Sequence, residues 1–413
     1  MLVAAVVQHP LVPSAAAALP AAVVHASHGG PSAVALLLAV PGGGLWALGI
    51  LGKRYGVEGA SPKLKTLWSA FVSLFFLLGT MVLPAAELAV TLLHPLPLST
   101  SAGSSRSFQD PDYLRRLPLV VAAGVLSGIG SLVGMWALAR AGSTSSSALA
   151  AVVQNGVFTA ATPVLITAAL GEATSAVQWF GVAVICLGVP LMDSGLGVFC
   201  RPSADALREQ EEGRKVHASS RQAPFGGHAA GAPGFGKAHR RAQPSAAEAG
   251  SSSAVAAGAL AGLLWAVGNL GRRIGAKTDI PELQREEALI TFLALNFCSC
   301  MAPAVCLASG ERRQLLEILR DPNFGRRMPT VLTTAVLSGL GGLLCTLGLS
   351  EAGPNGGAAV STVCNGVYTV CGSLLIAATY NERPTLVQCL GVAMVLAGIL
   401  FVGLGDLGGP HAA

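Results

Sequence analysis

Apolar residues in this chain come in long unbroken blocks, and the polar residues between them recur twice in the same order. Nine stretches of at least 21 residues, and a tenth of 20 over 173–192, contain no Asp, Glu, Lys or Arg. A charged side chain at the centre of a bilayer costs about 2.5–3.5 kcal/mol or more, so spanning segments are kept free of them. A helix rises about 1.5 Å per residue, and about 20 residues cross the hydrocarbon. The pattern predicts helices near 33–52, 66–87, 117–139, 146–169 and 175–195, then near 254–271, 288–308, 329–349, 357–379 and 385–404.

The two sets of five are copies of one pattern. Leu45 to Arg54 matches Leu264 to Arg273 at seven of ten positions, an offset of 219. Leu126-Ser127-Gly128 returns as Leu337-Ser338-Gly339 at an offset of 211. Asn155-Gly156-Val157-Phe158-Thr159 returns as Asn365-Gly366-Val367-Tyr368-Thr369 at 210, as do Glu172 and Glu382, Gln178 and Gln388, Gly181 and Gly391. Chance likeness between apolar segments does not keep Trp, Asn, Glu and Gln in register. Five crossings are an odd number, so the second copy is expected to run in the opposite sense. The expected fold class is an all-α membrane protein of ten transmembrane helices in two inverted five-helix repeats.

The expected organisation is an N-terminal segment 1–32 without order, a first repeat over 33–200, a flexible linker over 201–252, a second repeat over 253–405 and a tail over 406–413. The linker sets Arg201, Glu211, Glu212, Arg214, Lys215, Arg240 and Arg241 among Gly, Ser, Ala and Pro, and has no apolar face to bury. Segment 1–32 is apolar but broken by Pro10, Pro13 and Pro20 and lacks a basic start. A further helix and a cleaved leader both stay open for it.

Composition agrees with the pattern. Of 413 residues, 52% are hydrophobic and 11% charged, against about 25% charged in soluble domains. Mean hydropathy is +0.61. The net charge of +5 resides in loops and gives no nucleic-acid face. Eight of nine cysteines (Cys186, Cys298, Cys300, Cys306, Cys345, Cys364, Cys371 and Cys389) lie in apolar segments, and Cys200 at a helix end. Their spacing fits no zinc pattern, so they are expected to serve as small hydrophobes, with no metal and no cofactor.

These residues resemble the drug/metabolite transporter superfamily, in its ten-helix branch with two EamA-type domains. The likeness rests on an aromatic in the first span, an Ala-rich fourth span ending at Gly171-Glu172, and a fifth opening with Gln178-x-x-Gly181; the second copy gives Glu382, then Gln388-x-x-Gly391. Asn381 stands where the pattern has Gly, and neither 66–86 nor 288–310 carries the basic residue common there. The resemblance covers 33–195 and 254–404. It implies a secondary transporter, and it leaves the substrate open.

Intramembrane polar groups are the candidates for binding, because each must find a partner or line a cavity. Asn155 and Asn365 sit mid-span at equivalent places, where a two-fold axis brings them close at the midplane. Their amides suit polar organic solutes. Interhelical hydrogen bonding, worth about 0.6–2 kcal/mol, is the alternative role. Trp46 and Trp265 each lie seven residues before a basic pair, about 10 Å below the helix end, which is deep for an interface anchor. Asn269, Tyr368 and Trp136 are weaker substrate-binding candidates. Glu172 and Glu382 are expected to cap the N-termini of the fifth and tenth spans, with gating as the alternative. Gly124, Gly128, Gly134, Gly339, Gly341 and Gly342 are expected to allow close helix packing.

No Lys or Arg falls inside a predicted span. A phosphate ester is therefore disfavoured unless Lys53, Arg54, Arg140, Arg272 or Arg273 reaches inward. The expected function is a secondary transporter of a small neutral or zwitterionic organic solute, with a channel or facilitator as the alternative. An intramembrane enzyme lacks any paired carboxylate, Ser/His or metal set at mid-depth. The expected partners are a small-molecule substrate and the lipid bilayer, without nucleic acid; monomer and homodimer both stay open. Loops after odd-numbered spans hold 19 basic residues against 7 on the other side, which places the linker in the cytosol. The resemblance implies cytosolic termini instead, and that orientation is adopted.

Overall fold

A computed structural model describes residues 32–58, 60–61, 63–93, 106–141, 144–199, 246–278, 280–379 and 385–404. Residues 1–31, 201–245 and 406–413, where an unordered N-terminus, a linker and a tail are expected, lie outside the described residues, as does Glu382.

Twelve helices follow one another among the described residues: α1 Ala33–Val57, α2 Lys65–Leu93, α3 Pro111–Ala141, α4 Thr144–Leu170, α5 Ala176–Phe199, α6 Ala246–Ala276, α7 Pro281–Ser299, α8 Met301–Ala308, α9 Arg312–Arg320, α10 Pro322–Ser350, α11 Gly357–Thr379 and α12 Leu386–Leu404. No strand occurs among these residues. Nine helical stretches, one of them α7 continued into α8, are long and apolar enough to cross a membrane, and α5 carries a shorter apolar run, Ala176–Val189. Many large apolar side chains point outward, among them Leu187, Phe297, Val305 and Leu400. Water would disfavour such a surface and hydrocarbon tolerates it. The chain is built as an all-α, multi-pass membrane protein.

Local chemistry sets the helix ends. Ser32 caps α1 by accepting the Ala35 amide at 3.1 Å, and Asp321 caps α10 by accepting the Asn323 amide at 2.8 Å. Pro281 and Pro322 take first-turn positions, where a missing N–H is harmless. At the start of α5, Ser175 Oγ accepts the Gln178 amide and Gln178 Oε1 accepts the Ser175 amide. Thr385 and Gln388 repeat this reciprocal cap at α12. Gly171 follows α4 with φ 65°, a left-handed turn that a Cβ would strain. Pro303 lacks the N–H that would continue the ladder to Ser299, and the helix breaks between α7 and α8. The helix α9 was not expected from the apolar blocks; it is a short amphipathic segment with Ile318 buried and Leu319 exposed.

The tightest pairings are α1 with α10, α3 with α6, and α5 with α12, while α4 meets α11 across the centre. Glycines let these backbones approach. A Cβ on Gly341 would collide with the backbone of Gly42 and Trp46 in α1, and one on Gly128 with the backbone of Ser299. Cys345 of α10 and Cys364 of α11 are joined as a disulfide, which corrects the expectation of free apolar thiols for these two. Spacing along the chain gave no sign of it, because the two meet only once α10 and α11 pack.

Several contacts come in exchanged pairs. Gly49 lies against Ser338, and Gly268 against Ser127. Arg116 donates to the Ile274 carbonyl at 3.3 Å, and Arg327 to the Tyr55 carbonyl at 2.7 Å. Gly181 faces Gly398, and Gly188 faces Gly391. Thr159 and Thr369, equivalent in the sequence repeat, hydrogen-bond to each other at 3.2 Å.

Candidate functional site

The helices α1 and α6 run further than the charge-free windows allow, to Val57 and Ala276. Lys53, Arg54, Arg272 and Arg273 therefore sit inside helices. Arg54, Arg272 and Arg273 are buried, and Lys53 is half-buried.

A cavity of about 40 Å³ lies between α1, α2, α3, α4, α6, α7 and α11. Lys53 and Arg272 line it, with Thr80, Ser127, Ser131 and Asn296 as polar groups and Trp46, Phe76, Phe158, Trp265 and Tyr368 as rings. A smaller neighbouring cavity of about 20 Å³ shares Lys53, Ser131, Trp265 and Tyr368 and adds Gln154 and Asn155. The larger volume holds roughly one or two waters, so the site is narrow. A wider groove of about 980 Å³ runs over the surface of α9 and the start of α10, away from these residues.

The rings form a cage. Trp46 lies 5.1 Å from Tyr368 and 5.7 Å from Phe158 between centroids, and Phe158 lies 5.9 Å from Trp265. The cations cross between the halves. Lys53 Nζ sits 4.3 Å from the Trp265 ring and 4.6 Å from Phe76. The guanidinium of Arg272 sits 4.8 Å from the Trp46 ring and 5.7 Å from Phe292. The ring faces offer each cation about 0.5–2 kcal/mol of attraction. Trp265 is itself oriented by donating to Ser131 Oγ at 3.2 Å.

Of the candidates named above, Trp46, Trp265 and Tyr368 line the larger cavity, and Asn155, Trp265 and Tyr368 the smaller one. Asn269 and Asn365 do not. Asn269 Oδ1 accepts from Arg272 at 2.9 Å, and its amide donates to Asn365 Oδ1 at 3.3 Å. The two Asn residues form a relay behind the guanidinium. Trp136 lines neither cavity. Lys53 and Arg272 are the residues the sequence placed only conditionally, because both lie at the edge of a charge-free window.

Glu172 corrects the capping expectation. It does not cap α5, where Gln178 does that work; its Oε2 accepts the Ala358 amide at the start of α11, at 3.0 Å. Its Oε1 accepts from Arg273 Nε at 2.6 Å, and Arg273 also donates to the Leu349 carbonyl at 2.7 Å. The pair ties α4, α6, α10 and α11 together at one end of the bundle.

No family model matches the chain, and no curated protein does. One solved structure, described only as "Crystal structure of protein", is similar over 92% of this chain and 99% of that one, with 16% identity and a TM-score of 0.50. At this identity the likeness concerns the fold alone.

Proposed function

We propose that the chain is a secondary membrane transporter of the drug/metabolite type, in which two inverted five-helix halves rock about the central cavity. The observation that carries this reading is the exchange at that cavity: Lys53 faces Trp265, and Arg272 faces Trp46. Lys53 and Arg272 are equivalent in the sequence repeat, as are Trp46 and Trp265. When residue i meets j′ and residue i′ meets j, the two units are related by a two-fold axis. The Gly49–Ser338 and Gly268–Ser127 contacts, and the self-pairing of Thr159 with Thr369, support the same axis. With five crossings in each half, that axis lies in the membrane plane, the design of carriers that bind at the midplane.

The narrowness of the cavity, about 40 Å³, favours a carrier over the channel alternative. A pore needs a continuous wet path, whereas a carrier passes through a state closed to both sides. The polar lining supplies a place for solute, and the glycine-rich α1–α10 and α3–α6 seams supply surfaces that slide. Lys53 and Arg272 both reach inward, which meets the condition that lifts the case against anions and weakens the case for a neutral solute.

Purified protein in proteoliposomes tests the proposal. Saturable uptake, accelerated by the same solute preloaded inside, is expected. Uptake that rises linearly with concentration without such acceleration, or single-channel currents, would sink it.

A further inference from the structure

We infer that the central cavity recognises a small organic anion, its acidic group held between Lys53 and Arg272 and its apolar body set against the indoles of Trp46 and Trp265. This rests on reading the cavity as the substrate site of a carrier.

Charge balance points there. Arg273, one residue on from Arg272, is neutralised by Glu172. Arg116 is neutralised by Glu287 at 3.2 Å and has Asp110 at 3.7 Å. Among the described residues, Lys53 and Arg272 have no carboxylate within ion-pair distance. Lys53 has only ring faces, and Arg272 has Asn269 on one terminal nitrogen while its buried Nε is left without a partner. Ionised groups inside a membrane protein pair with one another, with backbone carbonyls, or with a cargo. Two of them facing one cavity without a counter-charge leave a net positive site of the kind that an anion completes.

The available donors fit such a ligand. Guanidinium Nε and an ammonium offer directed hydrogen bonds to a carboxylate or a phosphoryl group. Thr80, Ser127, Ser131 and Asn296 line the same wall and accept or donate to further polar atoms. The four-ring cage of Trp46, Phe158, Trp265 and Tyr368 takes an apolar or planar body. A cavity of about 40 Å³ is smaller than any such solute, so binding widens the gap between the halves. That widening is the coupling of substrate to rocking that the carrier reading requires.

The test uses the full chain in lipid nanodiscs with phenylacetate, phenyl phosphate and the uncharged isostere phenylacetamide. Binding is read by tryptophan fluorescence and by thermal shift. At least one of the two anions is expected to bind at least tenfold tighter than the amide, and which one does so identifies the acidic group. Lys53→Gln and Arg272→Gln are each expected to cut that preference at least tenfold. Equal binding of amide and anions to the unaltered protein, or no binding of either anion, overturns the proposal without reliance on variants that fold poorly. Preference that persists in both Gln variants also overturns it. The two readings fail separately. Anion-selective binding without accelerated exchange of that anion removes the carrier and leaves the site. Accelerated exchange of a neutral solute, unchanged by Lys53→Gln, keeps the carrier and removes the anion site.

Discussion

Arg273 and Glu172, 101 residues apart in sequence, meet at 2.6 Å inside the bundle, each almost wholly buried. Their joint reach extends to the Leu349 and Gly353 carbonyls and the Ala358 amide, so one ion pair fastens four helices. A buried pair adds little net stability relative to a well-packed apolar pair, but removing one partner strands a charge. Glu172→Ala is expected to cost about 3–5 kcal/mol, seen as a large fall in melting temperature. Glu172→Gln, which keeps acceptor geometry at one oxygen, is expected to fall between. An unchanged melting temperature in Glu172→Ala would show that the pair fastens nothing.

Two adjacent glycines in α1 separate packing from propensity. A Cβ on Gly43 would overlap the Cys364 carbonyl oxygen, which belongs to the rigid backbone of α11. Gly44 has nothing within 4 Å of that position. Gly43→Ala is expected to destabilise by about 1–3 kcal/mol through overpacking. Gly44→Ala is expected to be neutral or to gain up to about 1 kcal/mol from helix propensity. Melting temperatures of the two variants in the same detergent check the contrast.

The helices were legible because a bilayer imposes one rule, the exclusion of charge, and that rule leaves windows in the sequence. The same rule misplaced the helix ends. It stops α1 before Lys53 and α6 before Arg272, yet both helices continue for about a turn, and the cations turn inward to ring faces instead of outward to solvent. Nothing local distinguishes a basic residue that snorkels from one that faces a cavity. The spacing did carry that information: Trp46 and Lys53 are seven residues apart, as are Trp265 and Arg272, and each cation meets the Trp of the other segment. Glu172 was misread for a related reason. Sequence neighbours suggested α5 as its helix, whereas the fold brings the start of α11 to it.

The Cys345–Cys364 disulfide is open to direct counting. Alkylation of the denatured chain with a maleimide is expected to modify two more thiols after reduction than before it. Equal counts would mean that the two sulfurs stay reduced in the membrane, as apolar side chains between α10 and α11.

Asn269 is expected to be a positioning residue, acting on the ligand through Arg272. Its carbonyl oxygen holds one guanidinium nitrogen at 2.9 Å, and its amide is held by Asn365 at 3.3 Å. Leucine at 269 keeps the bulk and releases the guanidinium. A hydrogen bond to a charged group contributes about 1.5–3 kcal/mol, and about 1.4 kcal/mol is tenfold in affinity, so Asn269→Leu is expected to weaken anion binding by about tenfold or more. Asn269→Asp acts in the opposite electrostatic sense: its carboxylate neutralises Arg272 from behind and competes with the ligand, so affinity is expected to fall further than in the Leu variant. Asn365→Ala removes only the outer member of the relay and is expected to have the smallest effect. The discriminating measurement is the ratio of phenylacetate to phenylacetamide affinity in each variant. Loss of general packing lowers both affinities together, whereas misplacement of the guanidinium lowers the ratio. If the ratio is the same in Asn269→Leu and Asn269→Asp as in the unaltered chain, then Arg272 does not meet the anion, and the relay serves only to join α6 to α11.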